Sequence, residues 1–226
     1  MRVRFGGLLG VFLGVAVVAL ARPAESTTIN FASLESLGTP GTGCCSVGDL
    51  RSQGSTVTVD GFTFTSSNVQ QLFGLSVWAS YNANHPQGGS PATSLFEYAA
   101  ADTTTMTKQG GGMFTLTGID FAEYNANMAG GPGTFDVTLI GTKGDSSIVS
   151  QTVQVQRNAG SPQLQSFNLA GFTNVIKVTM TQGAYTNNAF QFNNLIVTSV
   201  PDGGSTLSLL TLAGTCLVAL KRRHRA

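Results

Sequence analysis

The sequence predicts an all-β domain that folds as an antiparallel β-sandwich. The jelly roll is the preferred topology. Apolar and polar residues alternate over many short segments, and breaks rich in Gly, Pro and Asn separate these segments. No segment shows an amphipathic helical pattern of three turns. Strict alternation gives each strand one buried and one hydrated face, which two stacked sheets require.

The predicted strands follow at fairly even spacing. The first two, 56–59 and 62–65, are joined at Asp60-Gly61, a dipeptide typical of a tight hairpin. The others are 113–117, 119–124, 135–140, 148–156, 164–169, 175–181 and 190–198. Breaks are predicted at 130–133, 141–144 and 158–162, Gly110-Gly111-Gly112 is interpreted as a turn, and 38–54 interrupts the strand pattern.

The N-terminus has the three parts of a secretory signal peptide. A basic start, Met1-Arg2-Val3-Arg4, precedes an apolar stretch over 5–20 and the small-x-small site Ala19-Leu20-Ala21. Arg22-Pro23 ends any helix there, so cleavage between Ala21 and Arg22 is favoured over an uncleaved anchor. Export by the Sec machinery is therefore expected.

The C-terminus combines a short polar motif, an apolar run over 207–220 and a basic cluster. The motif is Val200, Pro201, Asp202, Gly203 and Gly204, and the cluster is Lys221, Arg222, Arg223, His224 and Arg225. By the positive-inside rule the cluster stays cytoplasmic, and the run enters the inner membrane as one transmembrane helix. The run is short and diluted by Thr and Ser, which favours a transient anchor over a permanent single-pass tail anchor.

These three parts in this order resemble the PEP-CTERM class of bacterial sorting tails. The Pro-Glu-Pro signature is replaced by Val200-Pro201-Asp202-Gly203-Gly204, which is similar to the VPDSG-type variant with Gly203 in place of serine. The resemblance implies processing by exosortase, a membrane-embedded cysteine protease or transpeptidase, and delivery to the cell surface or extracellular matrix. It divides the chain into a signal peptide (1–21), a β-sandwich ectodomain (22–199) and a sorting signal (200–226).

Segments 114–156 and 189–197 also resemble the β-sandwich ectodomains that often precede such tails and are broadly similar to carbohydrate-binding jelly rolls. Many of those carry Phe-Asp-Asn-Ile near the last strand. Here Asn193 stands at the aspartate position, so a calcium or structural role of that carboxylate is not transferred.

The charge of the ectodomain argues against nucleic acid as a partner. The whole chain has a formal net charge of +1, but residues 22–199 hold 6 Lys and Arg against 10 Asp and Glu, a net charge of −4. The basic character belongs to the two targeting segments, and no basic patch with interleaved aromatics is present. A surface rich in Thr, Gly, Asn, Gln and Ser suits a neutral, hydrated matrix.

Cys44 and Cys45 are the cysteines that remain once the tail is removed. Their Cα atoms lie about 3.8 Å apart, below the usual disulfide range of about 4.4–6.8 Å, so an internal bridge is a strained vicinal ring. A vicinal disulfide is the first interpretation and pairing with another molecule the second. A nucleophile acting with His85 is the minor alternative, since no orienting partner is identifiable.

Catalytic signals are few. His85 has no second histidine at metal-ligand spacing, so a metal site is not expected. The sequence contains no nucleophile elbow and no phosphate-binding glycine loop, and no cofactor is expected. Glu97, Asp120 and Glu123 could supply a carboxylate pair for glycoside cleavage. The alternative is that Asp120 and Glu123 are solvated charges near the end of one strand.

The better candidate site is a glycan-binding one. Trp78 and Tyr81 could stack on sugar rings while Asn82 and Asn84 read hydroxyl groups. Tyr124, Asn125 and Asn127 form a second such cluster, and Trp78 as a core residue is the competing interpretation. The sequence thus favours a non-enzymatic surface or matrix protein with exopolysaccharide as candidate ligand; the alternative is a secreted glycoside-active enzyme.

Overall fold

The computed structural model describes residues 25–34, 39–40, 50–67, 75–78, 93–97, 102–123, 133–157, 163–183 and 190–199. All of these except Glu25 belong to one compact unit, Ser26–Ser199. In order, its elements are β1 (Ser26–Ile29), the 3-10 helix η1 (Ala32–Leu34), β2 (Thr39–Pro40), β3 (Leu50–Gly54), β4 (Thr56–Val59), β5 (Phe62–Ser66), β6 (Leu75–Trp78), β7 (Ser94–Glu97), β8 (Thr103–Lys108), β9 (Phe114–Glu123), β10 (Gly133–Lys143), β11 (Ile148–Arg157), β12 (Gln165–Asn168), β13 (Val175–Gln182) and β14 (Phe190–Ser199).

The strands form two antiparallel sheets that pack face to face. Sheet I has the order β4-β5-β8-β13-β10-β11, and sheet II has the order β2-β3-β6-β7-β14-β9-β12, with β1 beside the end of β14. In the described part of the chain one backbone pair, Val175 with Phe114, links the two sheets. The all-β antiparallel sandwich predicted from the sequence is confirmed. From β8 to β10 and from β11 to β14 the chain alternates between the two sheets. This alternation is typical of Greek-key β-sandwiches.

Aromatic rings join the two sheets across the core. Phe64 of β5 lies 5.9 Å from Phe192 of β14, and Phe62 of β5 lies 5.2 Å from Phe114 of β9, both measured between ring centroids. Phe31 contacts both Phe64 and Phe192 edge-on, at 5.4 and 5.5 Å. All five rings are at most 3% exposed, so they form the centre of the sandwich.

The predicted hairpin between β4 and β5 is confirmed. Thr56 pairs with Thr65 and Val59 with Phe62, leaving Asp60-Gly61 as a two-residue turn. Both turn residues have positive φ, 50° and 77°, as a type I′ turn requires.

The structure differs from the predicted strand pattern at several points, and β1, β6, β7 and β8 were not among the predicted strands. Segments 113–117 and 119–124 form one strand, β9, which runs through Gly118. The break predicted at 141–144 begins three residues later, at Gly144, because β10 continues to Lys143. Gly141 is needed inside β10, since a Cβ there would lie 2.8 Å from Val149 and 2.9 Å from Phe172. The interruption over 38–54 contains β2 and β3.

Glutamine side chains close the gap between β11 at the edge of sheet I and β12 at the edge of sheet II. The backbone N–H of Gln156 donates to Gln165 Oε1, and Gln165 Nε2 donates back to the Gln156 carbonyl, both at 2.8 Å. Further along, Gln151 Nε2 donates to the Asn168 carbonyl and the Ala170 N–H donates to Gln151 Oε1, both at 3.0 Å. In this glutamine seam each side-chain amide takes the place of a peptide group in a β-ladder, which makes this side of the sandwich barrel-like.

The targeting segments lie outside the described residues. This applies to the signal peptide with its cleavage site at Ala21 and Arg22, to the motif 200–204 and to the basic cluster 221–225. Among the residues that the structure describes, no helix is long and apolar enough to span a membrane.

Candidate functional site

A lateral row of residues crosses sheet II on positions that alternate with the core. Backbone register pairs Leu50 with Trp78, Trp78 with Ser94, and Asn193 with Asp120. The pairing of β7 with β14 places Ser94 opposite Asn193 and so joins these pairs into one row. Because side chains along a strand alternate between faces, Ser94, Asn193 and Asp120 lie on the face opposite core residues such as Leu95, Phe192 and Phe121. We call the whole row the cross-strand row.

Buried amide and hydroxyl groups lie within this row and next to it. Ser94 Oγ donates a hydrogen bond to Gln191 Oε1, and Gln191 Nε2 donates to the Glu123 carbonyl at 3.1 Å. Ser94 and Gln191 are fully buried, as is their neighbour Phe96. These contacts hold β7, β14 and β9 in fixed register and give the row a rigid base.

The accessible polar groups of the row lie at Asp120. Asn194 Nδ2 donates to Asp120 Oδ2 at 2.7 Å, and both side chains are half-buried. Asn194 has φ of 49°, at an irregularity in the pairing of β14 with β9, and this bend brings its amide to the carboxylate. Beside them Asn193 is 1% exposed, and its Oδ1 has no hydrogen-bond partner.

The structure thus brings one predicted site residue, Trp78, into the same row as Asp120. Trp78 occupies the last position of β6, between Leu50 and Ser94. Three steps between adjacent strands, at about 4.8 Å each, separate Trp78 from Asp120, or about 14 Å. The other predicted residues, Tyr81, Asn82 and Asn84, and the second cluster at 124–127 lie outside the described residues.

The three candidate carboxylates do not form the predicted pair. Asp120 and Glu123 are three residues apart on β9, so their side chains lie on opposite faces of the sheet. Asp120 lies on the outer face and Glu123 on the core face. Glu123 is 7% exposed, so the interpretation of both residues as solvated edge charges is wrong for Glu123. Glu97 is fully buried between the sheets, where Ser66 Oγ and Thr104 Oγ1 each donate to it at 2.9 Å.

Ionisable groups are sparse on the described surface. The described residues hold no group of three or more His, Cys, Asp or Glu that could bind a metal ion. Asp145 lies in an exposed turn, where the Ser147 hydroxyl and backbone N–H both donate to it and lower the pKa of its carboxyl. Cys44, Cys45 and His85 lie outside the described residues.

Sequence reasoning alone missed Ser94, Gln191 and Asn194 as parts of the site. A signal was present in Phe190-Gln191-Phe192-Asn193, where amides alternate with core phenylalanines and mark one polar face of the last strand. Their assembly with Trp78 needs the pairing of β14 with β7 and of β7 with β6, which no local pattern contains.

No protein-family model matches the chain, and no curated protein matches it either. Among solved structures it is similar to the CBM22-1 and GH10 modules of endo-1,4-β-D-xylanase 10B from Clostridium thermocellum, complexed with xylohexaose, at 14% identity and a TM-score of 0.38. That match covers 60% of this chain and 26% of the other. The CBM22-1 xylan-binding domain of Paenibacillus barcinonensis Xyn10C matches at 11% identity and a TM-score of 0.40, over 80% of this chain and 97% of the other.

A mutant of the family 29 carbohydrate-binding module CBM29-2 matches at 11% identity and a TM-score of 0.37, over 78% of this chain and 93% of the other. The chain thus spans about a quarter of the xylanase structure and nearly the whole of the two isolated modules. Similarity at this level does not assign a function to the chain.

Proposed function

We propose that this is an exported, exosortase-processed surface or matrix protein whose β-sandwich binds a neutral exopolysaccharide without cleaving it. The observation that carries the binding proposal is the cross-strand row, in which the backbone register aligns Trp78 with Asp120, whose carboxylate is hydrogen-bonded to Asn194. Sugar recognition combines an aromatic platform with amide or carboxylate groups that bind hydroxyls.

The buried amide and hydroxyl groups support this role energetically. The hydrogen bonds of Ser94, Gln191 and the Glu123 carbonyl hold together the strands that carry the row, so the polar groups at Asp120 are ordered before a ligand arrives. Binding to a preformed site loses less conformational entropy than binding to a mobile one. The low charge of the domain suits an uncharged polysaccharide, since few ion pairs are available to hold a polyanion.

The positions of the carboxylates support binding over catalysis. A glycosidase needs two carboxyl groups flanking one accessible glycosidic bond. Asp120 and Glu123 belong to opposite faces of β9, and Glu97 is buried with its carboxylate bonded to two core hydroxyls. A glycan bound at Asp120 would therefore find neither of the other two carboxylates beside it.

Export and sorting rest on the two ends of the sequence. The basic, apolar and small-residue pattern over 1–21 supports export, and the order of motif, apolar run and basic cluster over 200–226 supports exosortase processing. Mass spectrometry of the protein from cells tests both proposals. A start at Arg22 and an end near 200–204 are expected; a dominant species ending at Ala226 would show a permanent anchor.

A polysaccharide panel tests binding and catalysis together. We expect the full chain to be retained on neutral polysaccharides without release of oligosaccharides, and retention to change little when salt is raised. Trp78→Ala and Tyr81→Ala should each weaken binding by about 1–3 kcal/mol, as truncation of aromatic hot spots does. Asp120→Ala should weaken it too, whereas Asp145→Ala, in the exposed turn between β10 and β11, is the matched control.

The core interpretation of Trp78 makes a different prediction. If the indole is a core side chain, Trp78→Ala lowers the free energy of unfolding by about 3–5 kcal/mol. Melting temperatures and affinities measured on the same variants separate the two. A large loss of stability at Trp78, with unchanged affinity in Tyr81→Ala and Asp120→Ala, would exclude this face as the binding site.

A further inference from the structure

The outer face of sheet I is a continuous array of threonines, which we call the threonine face. They occupy positions facing away from the core on β4, β5, β8, β13, β10 and β11, and all are exposed or half-buried. One lateral row runs through Thr56, Thr65, Thr105 and Thr179 on four adjacent strands. The next row runs through Thr103, Thr181, Thr138 and Thr152.

Neighbouring threonines are ordered by hydrogen bonds between their hydroxyl groups. The Oγ1 atoms of Thr103 and Thr181 lie 3.0 Å apart, as do those of Thr138 and Thr152, and a third such pair joins Thr58 to Thr63 at 3.1 Å. In each pair one hydroxyl donates to the other, so one hydrogen and several lone pairs per pair still face solvent. The β-branched side chains are stiff at χ1, so these groups are held in place.

The face carries almost no charge. At outward positions of the described strands it carries Asp136 on β10 and Lys177 on β13, one charge of each sign, although the 22–199 region as a whole has a net charge of −4. Ile140, 40% exposed, and Ile148, 61% exposed, add alkyl surface beside the hydroxyls. A face of methyl, methylene and hydroxyl groups with so few charges is complementary to an uncharged polyhydroxylated surface and offers few ion pairs to a polyanion.

We propose that the threonine face is a second binding surface for neutral polysaccharide, on the side of the sandwich opposite the cross-strand row. The ligand class rests on the proposed function, but the surface does not. Because the two sheets pack against each other through one core, their outer faces point in opposite directions. A single domain then contacts two polysaccharide chains and cross-links them. A polysaccharide chain fits better than a rigid crystal lattice such as ice, since strands in a sheet rotate by about 20–25° from one to the next.

The test compares binding with cross-linking in the protein as it is purified from cells. Binding is measured as depletion of the protein by insoluble cellulose, and cross-linking as the viscosity of hydroxyethyl cellulose. The triple variant Thr65→Val, Thr105→Val, Thr179→Val removes three hydroxyls from one row and keeps β-branched side chains. We expect it to bind through sheet II but to lose the viscosity increase. In a Trp78→Ala background the triple change should weaken the residual binding by about tenfold or more.

Two further variants keep the result interpretable. Thr27→Val with Thr28→Val, at exposed positions of β1, adds similar apolar surface outside the face and should preserve cross-linking. Thr105→Asp introduces one charge at the centre of the face and should abolish cross-linking, which covers the case in which the triple variant does not fold.

The outcomes separate this inference from the proposed function. Cross-linking by a folded triple variant, or loss of all binding in Trp78→Ala alone, overturns the inference and leaves the proposed function standing. Unchanged binding in Trp78→Ala, lost only when the triple change is added, supports the threonine face and contradicts the proposed site on sheet II. Depression of the freezing point that the triple variant loses would show that the face binds ice, and would overturn the inference.

Discussion

Removing the Gln165 amide should open the glutamine seam and destabilise the sandwich measurably. Gln165 makes two hydrogen bonds of 2.8 Å to the backbone of Gln156. Each such bond contributes about 0.5–1.5 kcal/mol net, and water can reach this exposed edge, so Gln165→Ala should lower the free energy of unfolding by about 1–2 kcal/mol. Denaturant titration measures this change, and Gln163→Ala, two residues away and exposed, should stay within about 0.5 kcal/mol of the wild type.

Gln165→Glu is a more specific test, because it replaces the donating Nε2 amide group with a carboxylate oxygen and keeps the accepting oxygen. The ionised carboxylate still accepts from the Gln156 N–H, but its second oxygen faces the Gln156 carbonyl. Folding therefore favours the protonated acid, which raises the pKa of this carboxyl in the folded state. The variant should be closest to wild type below about pH 4 and should lose stability as the pH rises toward neutrality. A loss below 0.5 kcal/mol in Gln165→Ala, or a pH-independent deficit in Gln165→Glu, would refute the role of the seam.

Three other predictions follow from the core, the exposed turn and the cysteines. Phe192→Ala should cost about 3–5 kcal/mol by denaturant titration, because the ring is fully buried between Phe31 and Phe64; a cost below 1 kcal/mol would contradict this packing. Carboxyl NMR should show that Asp145 titrates below its ordinary value and that Ser147→Ala returns it upward; since the folded pKa is lowered, its stabilising contribution is present above the unfolded pKa and is lost as the pH falls through the folded pKa. The Cys44-Cys45 pair should resist alkylation in intact-mass measurements until a reductant is added, and full labelling without a reductant would exclude a disulfide.

The strands that the sequence predicted share a clear alternation. In β10 and β13 the buried positions are largely apolar and mostly alternate with more exposed polar ones, and β14 starts with apolar and amide residues in alternation, so the residue pattern alone finds these strands. β8 was missed because its inward positions include Thr104, whose hydroxyl binds the buried carboxylate of Glu97. A buried polar residue that is hydrogen-bonded to the other sheet is predicted from the sequence to be exposed. Only the packed structure shows its hydrogen-bond partner.

The candidate site was predictable in its residue types and not in its geometry. Trp78 was selected as an aromatic, but its neighbours in the row come from β7, β14 and β9, and the contact between Asn194 and Asp120 spans 74 residues. Such contacts depend on register, which is set by the whole sheet. Glu123 shows the same dependence, since a charge at the end of a strand was expected in solvent and is buried.

The pairing of β1 with β14 has a consequence for when this domain can fold. Ser26, at the start of the first strand, lies opposite Thr198, near the end of the last, so sheet II is completed by the two extremes of the domain. Such non-local pairing makes folding slow, and it cannot finish before the final strand is available. A chain that crosses a membrane unfolded would therefore stay competent for translocation until β14 had crossed, just ahead of residues 200–226. The topology itself then orders the events: passage first, closure of the sandwich second.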